Sequence, residues 1–200
     1  MTSKNVVTLF CGCGGLDYGF KKAGFNIVSA NDFWKPAIET YNNNFKHKAI
    51  CDDITKEETK QTILKEIGDK HIHCIIGGPP CQAYSMSGHR DPLDKRGHLF
   101  KDYIEMVKRI QPDFIVMENV KGILSMRQQK EILDKPHELK MKKYYDLLKT
   151  KKELQQLKKT KGGYSSEIRK ITKEIKSIDI NDCMELVVNK IVQKFKSIGY

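Results

Sequence analysis

Short apolar runs alternate with amphipathic stretches over the first 120 residues. Residues 6–10, 27–30, the region near 49–51, 72–76 and 114–117 are rich in Val, Ile, Leu and Phe. Brief β-branched and apolar runs bounded by Gly, Pro, Asn or Asp read as buried strands. Residues 16–23 follow the first run with a helical pattern. Strands that alternate with helices predict an α/β fold with a parallel sheet. In such sheets, ligands and chemistry gather at the C-terminal ends of the strands.

Three of those strand ends carry unusual residues. After the fourth run comes Gly77-Gly78-Pro79-Pro80-Cys81-Gln82-Ala83-Tyr84-Ser85. The prolines stop the strand and stiffen the turn, so Cys81 is placed like a nucleophile. A small buried cysteine is the competing reading. After the first run, Cys11-Gly12-Cys13-Gly14-Gly15 leads into the helix. Glycines let backbone approach a ligand, and a helix N-terminus offers free N–H groups. The dinucleotide pattern G-x-G-x-x-G is broken, because Asp17 stands where its third glycine belongs. The fifth run ends in Glu118-Asn119-Val120, on the same sheet edge as Cys81. A thiol and a carboxylate on adjoining strand ends suit covalent activation of an electron-poor ring.

Together these elements resemble the DNA cytosine-5 methyltransferase family. Phe10-Cys11-Gly12-Cys13-Gly14-Gly15 is similar to its F-x-G-x-G-G cofactor turn, Pro80-Cys81-Gln82 to its P-C-Q motif, and Glu118-Asn119-Val120 to its E-N-V motif. Asp32-Phe33, Asp53-Ile54 and Arg96-Gly97-His98-Leu99-Phe100 follow in the family's order. The resemblance covers roughly residues 5–125 and, more weakly, 184–200. It implies an α/β sheet of the S-adenosylmethionine-dependent methyltransferase (Rossmann-like) type with helices on both faces. It further implies that Phe10, Gly12, Gly14, Gly15, Leu16, Asp32, Phe33, Asp53, Ile54, Pro80 and Leu99 hold S-adenosyl-L-methionine, released as S-adenosyl-L-homocysteine. Asp32 would take the ribose, with Phe10 and Phe33 flanking the adenine. Trp34 and Asp52 leave both registers open by one residue.

The resemblance also implies the reaction. A cytosine leaves the duplex, Cys81 attacks C6, and Glu118 holds the ring through N3 and its amine while C5 accepts the methyl group. Cys81, Glu118, Pro80 and Asn119 are thus the catalytic set. Gln82, Ser85, Ser87 and Arg90 are the DNA contacts, on a segment that resembles a loop closing over the flipped base. A solvated loop is the alternative for these four.

Charge divides the chain. Residues 1–120 hold 16 Lys and Arg against 15 Asp and Glu, whereas residues 121–200 hold 20 against 10. Most of the net charge of +11 therefore lies in the second part. A basic surface suits nucleic acid, and a solvated lysine-rich helix is the bland alternative. There, Leu147, Leu154 and Leu157, then Ile168, Ile171, Ile175 and Ile178, recur at helical spacing around Gly162-Gly163. That pattern predicts a helical hairpin. The division expected is a catalytic core over 1–126, a basic hairpin insertion over 127–182, and a return to the core over 183–200. That last segment reads as a helix, with Ser197-Ile198-Gly199-Tyr200 as the lead-in to a sixth strand.

The six cysteines fall into no paired metal spacing, so no metal is expected. Nothing resembles a signal peptide or a membrane span, which points to a cytoplasmic protein. About five of the family's seven strands are visible. The family's Q-x-R-x-R motif and target-recognition region are not. Double-stranded DNA is the expected partner, with the missing region supplied by further chain or by a second polypeptide. A modification enzyme of a restriction-modification system is the leading reading. The alternatives are a transfer RNA cytosine-5 methyltransferase and a non-catalytic cofactor- or DNA-binding relic.

Overall fold

The computed structural model describes residues 4–80, 99–130 and 132–200. They form two compact units: one runs to Leu124 and includes Ile191–Tyr200, and the other is Ser125–Lys190.

The first unit is built on β1 (Lys4–Leu9), β2 (Phe25–Asp32), β3 (Ile50–Cys51), β4 (Cys74–Gly77) and β5 (Phe114–Met117). All pairs are parallel, in the order β3-β2-β1-β4-β5. All five expected strands form, with ends displaced by at most two residues. Val6, Val7, Leu9, Ile75 and Ile76 are completely buried on β1 and β4. This explains their continuous apolar runs, since both faces of a parallel sheet are covered. On the edge strand β5, Phe114 and Val116 are exposed while Ile115 and Met117 are half-buried. The strand order reverses direction between β1 and β4, and such a reversal opens a crevice at the C-terminal ends of the strands.

Helices α1 (Gly15–Lys22), α2 (Lys35–Asn44), α3 (Glu57–Ile67) and α4 (Phe100–Ile110) connect or precede the strands. The buried Tyr103 of α4 donates its hydroxyl proton toward the Ile75 carbonyl at 2.9 Å and the Val116 carbonyl at 3.2 Å. Helices α3 and α4 are joined by ion pairs. The buried Lys60 reaches Glu105 at 2.5 Å and Asp102 at 3.0 Å, and Arg109 grips Glu57 with both guanidinium nitrogens. These pairs span about 40 to 50 residues of chain and carry no periodic signature.

In the second unit, β6 (Arg127–Gln129) pairs antiparallel with β7 (Met184–Leu186). Between them run α5 (Lys135–Lys161) and α6 (Ser165–Ser177). Gly162 and Gly163 turn the chain with φ of 71° and 75°, a region glycine enters freely. The Asp134 side chain caps α5 by accepting from the His137 amide. Lys143 and Glu174 pair across the hairpin at 3.0 Å.

The final segment differs from expectation at its start. Met184–Leu186 form a strand rather than the start of a helix, and α7 covers only Val187–Lys196. The local apolar pattern is helical, but the Met126 carbonyl and β6 capture this backbone instead. Ser197–Gly199 form a helical turn. There the amides of Ile198 and Gly199 bond back to the carbonyls of Phe195 and Lys196. The Tyr200 ring then folds back, and its hydroxyl donates to the Pro112 carbonyl at 2.5 Å. Among the described residues, no helix is long and apolar enough to cross a membrane.

Candidate active site

Phe10 leaves β1 in the left-handed region, with φ of 56°. A bulky residue there costs on the order of 1–3 kcal/mol and persists only where its surroundings demand it. The demand comes from the loop. The Cys11 amide is fixed by the Asn31 carbonyl at 3.0 Å, and the Gly12 amide by Asp32 Oδ2 at 2.9 Å. Gly14 has φ of 90°, and a Cβ on it would lie 2.5 Å from the Phe45 ring and 2.8 Å from that of Tyr41. Only glycine fits that position. α1 then starts at Gly15, so its free amides face the same crevice.

Asp32, at the end of β2, accepts from the Gly12 amide with one oxygen and from the Trp34 amide with the other. Phe33 and Trp34 beside it are exposed. Beyond β3, Asp52 is held by Lys56, Thr59 and the Asp53 amide. The Lys56 ammonium lowers its pKa to about 2. Asp53 gives only one oxygen to the Thr55 amide, and Ile54 behind it is buried. Leu99 is half-buried at the head of α4.

At the ends of β4 and β5 the contacts are close. A Cβ on Gly77 would sit 2.0 Å from the Leu9 carbonyl oxygen, so β4 lies against β1 only because that residue is glycine. The Glu118 amide donates to the Gly77 carbonyl at 2.9 Å. Its Oε2 lies 3.0 Å from where a Gly78 Cβ would be. Asn119 Nδ2 donates to the Pro79 carbonyl at 3.0 Å. This ties the end of β5 to the double-proline turn that leads into Cys81. Cys81, Gln82, Ser85, Ser87 and Arg90 lie outside the described residues.

Thr8, Phe10, Cys11, Gly15, Leu16, Gly78 and Glu118 line one crevice of about 490 Å³. It brings the glycine-rich turn and the Glu118 carboxylate together. Burial pushes the Cys11 thiol well above its usual range and the Cys74 thiol up to about 11. Neither is a thiolate at neutral pH.

Sequence reading treated Asp17 only as a departure from the dinucleotide pattern. In the fold it is completely buried beneath the turn, and the Tyr41 hydroxyl donates to its Oδ2 at 2.7 Å. Burial raises its pKa, against the lowering effect of that hydrogen bond. The folded state therefore holds its proton more tightly than the unfolded chain, so stability falls as pH rises past the unfolded value. Asp17→Asn keeps an acceptor for Tyr41 and carries no charge. Denaturant midpoints measured from acid to neutral pH should lose part of this downward slope in the variant. An identical slope in the parent and Asp17→Asn would overturn the assignment.

Residues 4–152 match the family described as C-5 cytosine-specific DNA methylase. The chain is 46% identical over 130 residues to the Type II methyltransferase M.FnuDI of Fusobacterium nucleatum, covering 64% of this chain and 36% of that protein. It is 43% identical over 114 residues to M.HgiGI of Herpetosiphon aurantiacus, covering 57% of this chain and 88% of that one. A solved structure described as a DNA modification methyltransferase encoded within an E. coli prophage matches with a TM-score of 0.52 at 36% identity. That match covers 62% of this chain and 34% of the other. The chain thus spans about a third of the length of M.FnuDI. With the family matched over most of its length and a parallel sheet that gathers the motif residues at one crevice, this chain belongs to the C-5 cytosine-specific DNA methylases.

Proposed function

We propose that this chain transfers a methyl group from S-adenosyl-L-methionine to C5 of a cytosine flipped out of double-stranded DNA. Its setting would be a restriction-modification system. The observation that carries the reading is the shared crevice, where the Phe10–Leu16 turn and Glu118 face one space beside the turn into Cys81.

The residues fit the cofactor. Gly12 leaves room at the turn, Gly14 lets the turn close over Phe45 and Tyr41, and exposed Phe33 and Trp34 follow Asp32. Asp53 has an oxygen to spare where Asp52 does not, which favours Asp53 in the adenine pocket. Bound there, S-adenosyl-L-methionine supplies an electrophilic methyl group. Cys81 as thiolate adds to C6 of the base, which loads electron density onto C5. Glu118, as the carboxylic acid, donates to the ring at N3 and so stabilises the negative charge pushed into it. Asn119 holds the Pro79 carbonyl and thereby the approach of the thiol. Loss of the C5 proton then expels Cys81.

The exposed apolar face of β5 and the chain's span relative to M.FnuDI support a further reading. Additional polypeptide, contiguous or separate, completes the sheet and reads the target sequence. The test uses radiolabelled S-adenosylmethionine with duplex DNA and with transfer RNA, each with and without the polypeptide encoded immediately after this one. Label in DNA supports the proposal, and dependence on the second polypeptide shows a split enzyme. Label only in RNA, or in neither polymer while the cofactor still binds, overturns it.

The hairpin supplies a second DNA contact in this reading. Residues 135–177 hold 14 Lys and Arg against 5 Asp and Glu. On α6, Ile168, Ile171 and Ile175 are half-buried, while Arg169, Lys170, Lys173 and Lys176 are exposed on the other side. No carboxylate pairs with these four among the described residues. Replacing all four with Gln should make the slope of log binding constant against log salt shallower by up to about 3.6, at about 0.9 per phosphate contact. An unchanged slope would leave the hairpin a solvated insertion.

A further inference from the structure

The opposite end of the sheet carries a different chemistry. His71 and His73 precede β4, and Asp113 precedes β5. An extended backbone places residues i and i+2 on one face, so His71 and His73 share a side while Ile72 between them is buried. The ladder continues there. The Asp113 amide donates to the Ile72 carbonyl, and the Phe114 amide to the His73 carbonyl. This brings Asp113 onto the same face. His71 Nε2 lies 3.0 Å from Asp113 Oδ2, and the two imidazoles meet edge to face at 4.7 Å. One ligand atom from each of the three residues lies within 4.8 Å of the others.

We propose that His71, His73 and Asp113 form a binding site for one divalent transition-metal ion of the zinc type. Two imidazoles and a carboxylate suit Zn²⁺, Ni²⁺ or Cu²⁺ rather than Mg²⁺ or Ca²⁺. A tetrahedral zinc site needs ligand atoms about 3.4 Å apart, given metal–nitrogen bonds of about 2.0–2.1 Å. His71 and Asp113 are exposed and can close that gap by side-chain rotation. His73 Nδ1 accepts the Asn5 amide at 3.1 Å, and the ion takes His73 in exchange for that contact. A fourth position stays open to water. The site is structural, because it lies at the starts of the strands and the crevice lies at their ends. It clips the start of edge strand β5 to β4.

The test is calorimetric titration of zinc chloride into the tag-free chain at neutral pH, with thermal unfolding in parallel. One equivalent is expected, with a saturable rise in melting temperature. His71→Ala and Asp113→Asn should each weaken it at least tenfold. Among the described residues, Cys13 and Cys51 are exposed thiols that could compete for the ion, so the double variant Cys13→Ser/Cys51→Ser should bind like the parent. No saturable binding up to about 1 mM zinc, binding unmoved in His71→Ala and Asp113→Asn, or binding lost in the cysteine variant would each overturn the site.

Discussion

Cys81→Ser should abolish the covalent adduct formed with duplex DNA carrying 5-fluorocytosine. Fluorine at C5 blocks the final elimination, so a thiol that has added to C6 stays attached and survives denaturation. An alcohol at this position is far less ionised than a thiol, and it cannot replace a thiolate nucleophile. Methyl transfer should fall at least about a thousandfold, roughly 4 kcal/mol of transition-state stabilisation. Glu118→Gln should retain the fold and lose about a hundredfold or more, because an amide cannot pass a proton to the ring at N3. Where additional polypeptide is required, both variants are measured with it present. An adduct that persists in Cys81→Ser, with cofactor binding intact, would remove the thiol from the mechanism.

Gly77→Ala should be the most damaging single methyl group in the described chain. The added Cβ would lie 2.0 Å from the Leu9 carbonyl oxygen, 3.0 Å from the Leu9 carbonyl carbon and 3.3 Å from the Tyr103 ring. The first two contacts are backbone on the neighbouring strand, which cannot rotate away. Overpacking of this kind costs about 1–3 kcal/mol or more, out of a total stability of about 5–15 kcal/mol. Reduced freedom of the unfolded chain returns only about 0.4–1 kcal/mol. The denaturant midpoint should fall sharply, and cofactor binding should fall with it, because β1 and β4 frame the crevice. Gly19→Ala is the control. It lies within α1 with nothing within 4 Å of its Cβ, so it should be neutral or stabilising by up to about 1 kcal/mol. A midpoint for Gly77→Ala equal to that of the parent would show that the two strands can separate without loss.

Both predictions rest on local segments whose type was legible in the sequence. The five strands, the glycine-rich turn, the double proline and the hairpin with its Gly162-Gly163 turn are each specified within a few residues. Backbone preference and apolar periodicity act at that range. Element ends were less legible. Phe10 looks like a strand residue by composition, yet the turn pulls it to a positive φ. Met184–Leu186 have helical neighbours, yet a distant backbone captures them.

What the sequence by itself determined, then, is the set of strand-turn-helix units and the identity of the groups at their ends. The tertiary structure decided which of those groups meet. The Asn119 hold on Pro79 spans 40 residues, the Tyr41 proton on Asp17 spans 24, and the meeting of His71 with Asp113 spans 42. None is part of a repeating pattern. The first and the last exist because β4 and β5, far apart in the chain, lie about 5 Å apart in the sheet, and the second because α1 and α2 bring their side chains together; a single polar atom carries no periodicity to announce its partner.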